Sequence, residues 1–301
     1  MKVALYDLDS KIANLALMKI SKYHKDQGDQ VKWFMPLDAD YDTCYISKIF
    51  DFSPMPEFEP ANAVWGGTGY SVTSQLPDDM DACQPDYDVY PDINYSIQLF
   101  SRGCPRKCKF CVVPKKEGNI HSVEPMDLNP RGEMIMILDN NFFANEYYRY
   151  NICYLKHVSQ PIDFIQGIDI RIMNEEQCHY LWVLKSTCGI MGPSKSIWNK
   201  GKDKLVPKRI RFAWDNYKDK LEKKIEMLIQ YIHPHDLMCY VLIGFDSTEE
   251  EDLYRVEKLR EYGVSPYIMP FNTKDPYQKR FSRWVNHKAI FKSVAWKDYK
   301  G

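Results

Sequence analysis

Ser101-Arg-Gly-Cys104-Pro-Arg-Lys-Cys108-Lys-Phe-Cys111 sets three cysteines at C-x-x-x-C-x-x-C spacing. Three thiols so placed can hold three irons of a 4Fe–4S cube and leave the fourth open for chemistry. Electron-transfer clusters are instead closed by four cysteines. A structural zinc site also closes its shell, with four Cys or His ligands. No fourth ligand follows nearby, since the next candidate, His121, lies ten residues beyond Cys111. A zinc knuckle completed from elsewhere in the chain is the alternative. The spacing predicts a reactive cluster on Cys104, Cys108 and Cys111.

Outward from this loop, residues 95–100 read as the strand that delivers it, and further strands are expected at 134–138, 163–165, 209–213, 239–243 and 266–269. Leu221, Ile225, Leu228, Ile229 and Ile232 share one face of a helix starting near Lys218. A second helix opens on the capping box Thr248-x-x-Glu251 and stops at Gly263. Six strands alternating with helices are what a partial six-stranded α/β barrel requires. Before the loop, strands at 2–8, 31–34, 43–46 and 64–65 surround a helix carrying Ile12, Leu15, Ala16, Lys19 and Tyr23 and ended by Gly28. This is the pattern of a small doubly wound α/β domain. The expected organisation is a Rossmann-like domain over 1–75, a Pro- and Asp-rich linker over 76–94, a barrel over 95–272 and a basic helical extension over 273–301. In parallel α/β folds ligands sit at the C-terminal strand ends.

The composition is that of a soluble globular protein, and nine cysteines without a secretory segment point to a reducing, cytoplasmic setting. No apolar run approaches the roughly 20 residues of a membrane span. Residues 36–96 hold twelve Asp/Glu against Lys48, a balance of −11, while residues 274–300 hold eight Lys/Arg against two Asp, a balance of +6. The basic end reads either as a phosphate- or nucleic-acid-binding face or as a solvated terminal helix, with nucleic acid the weaker reading. The basic stretch 192–209, with Lys195, Lys200, Lys202, Lys204 and Trp198, could hold an anionic substrate or be a plain surface loop.

The stretch 95–118, with Arg102, Gly103, Pro105 and Phe110 around the cysteines, resembles the cluster loop of radical S-adenosylmethionine enzymes, in particular the branch with an N-terminal cobalamin-binding-like domain. The resemblance implies a fold of α/β class: a Rossmann-like domain followed by a partial (β/α)6 radical S-adenosylmethionine barrel. It implies a 4Fe–4S cluster whose open iron chelates S-adenosylmethionine, and an external electron donor of flavodoxin or ferredoxin type. Reductive cleavage would give a 5′-deoxyadenosyl radical for hydrogen abstraction from a substrate, phosphorylated or nucleotide-like by the basic C-terminus. The cofactor supplies the hard chemistry and the protein supplies position.

By the same resemblance, Asn140 and Asn141, in Asp139-Asn-Asn, would grip the amino group of S-adenosylmethionine, with a turn or helix cap as the alternative. Asp169 and Arg171 alternate on one face of an extended segment. They are assigned as the catalytic pair, with Arg171 on the cofactor carboxylate, or else as an internal salt bridge. Asp215 is the candidate ribose acceptor, Gly244 permits close approach of adenine, and Phe110 shields the cluster. Met269, with Tyr267 and Phe271, would close the adenine pocket.

Some family features are missing. No Asp-x-His-x-x-Gly cobalt-binding loop occurs, and its nearest echo, His24-Lys-Asp-Gln-Gly28, ends a helix. Gly66-Gly67 is the one echo of a corrin-side turn, so bound cobalamin is disfavoured. Cys44 and Cys83 stand without the third N-terminal cysteine of methylthiotransferases, and the remaining cysteines read as core thiols. The rival class is a non-catalytic Fe–S or zinc-binding scaffold or electron carrier.

Overall fold

The computed structural model describes residues 1–37, 40–60, 62–193 and 205–301. Lys195, Trp198, Lys200, Lys202 and Lys204 of the basic stretch therefore lie outside the described residues. The chain is mixed α/β with parallel sheets.

The N-terminal sheet is formed by β1 (Lys2–Asp7), β2 (Gln30–Trp33), β3 (Thr43–Ser47) and β4 (Ala63–Gly66), in the order β2-β1-β3-β4 and parallel throughout. Helix α1 (Leu15–Asp26) links β1 to β2, capped by the Asn14 side chain on the amides of Ala16 and Leu17. The segment expected as a linker is packed instead. It forms α2 (Asp78–Asp81) and a helical turn at Tyr87–Val89, and buries Met80 and Tyr87. Large apolar side chains overrule the Pro and Asp content there.

Next come β5 (Tyr95–Gln98), β6 (Ser101–Arg102), α3 (Val113–Lys116) and β7 (His121–Ser122). They are followed by β8 (Met134–Ile137), α4 (Tyr148–Val158), β9 (Ile162–Phe164) and α5 (Glu175–Thr187). A hairpin of β10 (Met191–Pro193) and β11 (Leu205–Pro207) leads to β12 (Ile210–Ala213), α6 (Glu222–Ile229), β13 (Leu237–Ile243), α7 (Glu249–Glu261) and β14 (Ser265–Pro270). Two helices, α8 (Pro276–Asn286) and α9 (Lys288–Ser293), complete the elements used below.

Strands β5-β8-β9 and β12-β13-β14 form two parallel sheets, joined by an isolated parallel bridge between Ile168 and Phe212. All six expected strands are present, and β13 alternates buried and half-buried residues along its length. Its buried set, Leu237, Cys239, Val241 and Ile243, joins the main core, which also contains Leu228 of α6 and Val256 and Leu259 of α7. The capping box at Thr248 forms as expected. The preceding helix begins at Glu222 rather than near Lys218, because Tyr217–Asp219 make a tighter turn and Lys220 is left-handed at φ 47°.

The 273–301 extension is not a tail, since Phe281, Trp284 and Phe291 enter the main core. The opposite face of β5 and β8 is covered by the N-terminal unit: Ala13 and Met18 share a core with Tyr95, Ile97, Met134 and Met136. The Ala13 amide donates to Tyr95 Oη at 2.9 Å. The two expected domains thus share a core.

A buried ion pair ties the strand ends together. Arg255 and Asp252 of α7 are fully buried at 2.5 Å, and Arg255 donates to the carbonyls of Trp214 (2.7 Å) and Leu242 (2.9 Å). Asp252 accepts from Ser247 Oγ and from Tyr277 Oη of α8. Breaking such a pair strands a buried charge. Arg255→Met should therefore cost about 3–5 kcal/mol in urea unfolding, and the double variant Asp252→Asn/Arg255→Met should recover a large part of that loss.

Candidate functional site

The cysteine loop leaves the sheet at β6, which pairs antiparallel with β7 on its return. Gly103 turns the chain at φ +76°, and a Cβ there would lie 2.3 Å from the Asn119 carbonyl, so only glycine fits. The Cys104 amide donates to the Gly118 carbonyl at 3.3 Å, and the Cys111 amide to the Cys108 carbonyl at 3.0 Å. These bonds fold the loop over the ends of β8, β9 and β12.

There the chain forms a cavity of about 230 Å³. Cys104, Cys108, Cys111 and Phe110 line it from the loop, Asn140 and Asn141 from beyond β8, Asp169 and Arg171 from beyond β9, and Asp215 from beyond β12. Nine of the eleven site residues expected from the sequence thus meet in one place. Gly244 and Met269 do not line it. Gly244 is left-handed at φ +74° and its open side is filled by the Gln278 amide of α8, while Met269 stands exposed on β14. The room left by the missing Cβ at 244 is taken by the Gln278 side chain. Phe110 lies edge-on to Phe245 at 5.4 Å, and Phe245 packs on Phe271 at 4.9 Å.

Asp169 is the hub. Its carboxylate accepts from Arg171 Nε (2.6 Å) and Nη2 (3.1 Å), Asn141 Nδ2 (3.1 Å) and Arg106 Nε (3.2 Å). Burial works against the charge, but the Arg171 hydrogen bond and charge, with Arg106, hold the carboxyl below its ordinary range. Asp169 is thus engaged by the chain's own donors. The 169–171 segment is also a turn rather than extended, closed by Ile172 N–H to the Asp169 carbonyl. Arg171 Nη1 points to Cys108 Sγ at 3.9 Å, with Asp219 at 3.6 Å.

Asn141 is buried, and its Nδ2 also reaches Cys104 Sγ at 3.7 Å. Its Oδ1 is buried with no partner among the described residues. A buried unpaired acceptor costs free energy until a donor arrives. Asn140 Nδ2 donates to Glu117 Oε2 at 2.8 Å, and the same oxygen accepts the Gly103 amide at 2.8 Å. Glu117 therefore couples the loop to the end of β8. Its one signal in the sequence is that it is the first acid after Asp92, ending a run of 24 residues free of Asp and Glu (93–116).

No protein-family model matches this chain, and no curated protein matches it either. Among the described residues, no three His, Cys, Asp or Glu side chains are gathered around one point as the shell of a single ion. Three thiols instead face a cavity with an unpaired acceptor (Asn141 Oδ1), a cation (Arg171) and a carboxyl (Asp215). Burial pushes the Cys111 thiol up. It pushes Asp215 up to about 6, against the charges of Arg171 and Arg255 and the Leu242 amide. Such a set can hold a soft metal centre at one end and a zwitterionic ligand beside it.

Asp139, 2 % exposed, locks the floor by accepting from the Phe100 amide (2.9 Å) and Ser101 Oγ (2.6 Å). Burial raises its carboxyl to about 6. The folded protein thus keeps a proton that the unfolded chain releases near pH 4. Stability is fully present below pH 4 and falls by about 3 kcal/mol as pH rises to 6. Asp139→Asn keeps an acceptor for the Phe100 amide and removes the titrating group. Its melting temperature relative to wild type should rise between pH 4 and pH 8.

Proposed function

We propose that this chain is a radical S-adenosylmethionine enzyme, with a 4Fe–4S cluster on Cys104, Cys108 and Cys111 and S-adenosylmethionine beside it. The observation that carries the reading is that the three thiols share one cavity with Asn141, whose buried Oδ1 lacks a donor. A cube takes one thiolate per iron, which suits three thiols spread around a cavity without forming a single-ion shell. The donor set therefore fits the group. Bound there and reduced by one electron, the cluster would cleave S-adenosylmethionine to methionine and a 5′-deoxyadenosyl radical for C–H abstraction from substrate.

The residues take the following roles. Asn141 Oδ1 accepts from the ammonium of the methionine moiety. Asn140, fixed by Glu117, presents its remaining polar atom to the same end. Arg171, aligned by Asp169, supplies the cation for the carboxylate. Asp215, ionised above about pH 6, accepts from ribose hydroxyls. Phe110 and its partners Phe245 and Phe271 exclude water from one side. The two parallel sheets bridged at Ile168 and Phe212 are read as the partial six-stranded barrel, and the N-terminal sheet as a Rossmann-like unit.

Cobalamin does not fit that unit. His24 has both ring nitrogens occupied, by Asp29 at 2.7 Å and Tyr45 Oη at 3.0 Å. The Gly67 turn is packed against the Lys48 backbone. No step is assigned to a corrin.

After anaerobic reconstitution with iron and sulfide, wild type reduced by dithionite should convert S-adenosylmethionine to 5′-deoxyadenosine, and Cys108→Ala should form none. Asn141→Ala should retain its iron but bind S-adenosylmethionine roughly 10–100-fold more weakly, the worth of a hydrogen bond to a charged group. A reconstituted wild-type cluster that yields no 5′-deoxyadenosine would sink the enzyme reading, and tightly held zinc in place of iron would favour a scaffold.

A further inference from the structure

The cysteine loop has two faces of opposite character. Cys104, Arg106, Cys108 and Phe110 line the cavity, whereas the intervening Pro105, Lys107 and Lys109 are exposed. Beyond Cys111, Val112 is 47 % exposed, followed by exposed Lys115. Residues 103–116 contain five Lys/Arg and no Asp or Glu. Two of these cations are engaged: Arg106 pairs with Asp169, and Lys116 donates to Thr68 Oγ1 at 2.7 Å. The side chains of Lys107, Lys109 and Lys115 have no ion-pair or hydrogen-bond partner among the described residues. The next acid, Glu117, is held by Gly103 and Asn140.

We propose that this outer face, Pro105, Lys107, Lys109, Val112 and Lys115, is the docking surface for an acidic one-electron carrier protein. The inference rests on the proposed function, which needs an electron delivered to the thiol side of the cavity. Lys107 and Lys109 flank Cys108 directly, so a carrier seated on them lies one residue from a thiol of the loop. Three uncompensated positive charges attract an acidic partner at long range. Exposed Pro105 and Val112 add apolar surface that can be desolvated on contact. In the transfer the carrier is oxidised by one electron and the cluster is reduced by one; no atom or proton crosses. A nucleic acid is the less suited occupant, because three lysines neutralise few phosphates.

The test uses the full chain with its reconstituted cluster, comparing wild type with Lys107→Glu/Lys109→Glu/Lys115→Glu. Flavodoxin hydroquinone is the protein donor and dithionite the small-molecule control. Reduction is followed by the electron paramagnetic resonance signal of the reduced cluster, and binding of oxidised flavodoxin by fluorescence anisotropy at about 50 and 300 mM NaCl. Wild type should bind roughly ten-fold more weakly at the higher salt. The triple variant should lose at least about ten-fold in flavodoxin-driven reduction, with dithionite reduction and S-adenosylmethionine affinity unchanged. If the triple variant takes up less iron, Lys107→Gln/Lys109→Gln and Lys115→Glu alone carry the comparison. Equal flavodoxin-driven reduction in wild type and variant overturns the proposal. So does tighter, lysine-dependent binding of a single-stranded RNA 20-mer than of flavodoxin. Wild type that makes no 5′-deoxyadenosine with dithionite defeats the enzyme reading instead, and the salt-dependent flavodoxin binding still decides the docking face.

Discussion

The Asp169 carboxylate is the constraint on which the site depends. It accepts from the cysteine loop through Arg106, from the end of β8 through Asn141, and from its own turn through Arg171. Three segments distant in sequence are thereby fixed on one group buried among its partners. Its charge survives burial only because two guanidiniums and an amide surround it. The turn that presents it needs Gly167 at φ +80°, where a Cβ would come 2.9 Å from the Arg211 carbonyl. The backbone of β12 therefore bears directly on the hub.

A second buried charge pair governs the other half of the cavity. Arg255 holds the carbonyls of Trp214 and Leu242, and Trp214 immediately precedes Asp215. The Leu242 amide in turn supports the Asp215 carboxylate. Because Tyr277 of α8 caps the same network, the C-terminal helices stabilise the strand ends from which Asp215 projects. The basic residues of that extension lie on helices whose apolar faces complete the core.

Much of this was legible in the sequence wherever a local pattern has a single physical meaning. Buried strands such as Met134–Ile137 read as continuous apolar runs, Thr248 and Glu251 form the capping box their spacing predicts, and the cysteine spacing announces its loop. Strand-end reasoning also located Asn141 and Asp215, because parallel strands present their C-terminal ends to one cavity. Illegible were the contacts made across long sequence separations. Nothing local marks Glu117 as the partner of both Gly103 and Asn140, or Arg255 as the brace of two strands. The packing of Gln278 against Gly244 was equally illegible, because a left-handed glycine looks alike whether it faces a ligand or a side chain. Asp169 and Arg171 met through a turn, not through the alternation that first paired them.

The shared core changes what the N-terminal sheet is for. With Ala13 and Met18 packed on β5 and β8, and Tyr95 accepting the Ala13 amide, that unit cannot move away without exposing the strand that delivers the cysteines. Its Gly-rich loop also contacts the cysteine segment through Thr68 and Lys116, and Gln75 donates to the Lys116 carbonyl at 3.0 Å. Burial lowers the Lys116 pKa, against the opposing pull of the Glu117 carboxylate. The unit therefore acts as a brace. It holds α3 from one side while Asp169 holds Arg106 from the other, which fixes the inner face of the loop toward the cavity and leaves its lysine-bearing face to solvent.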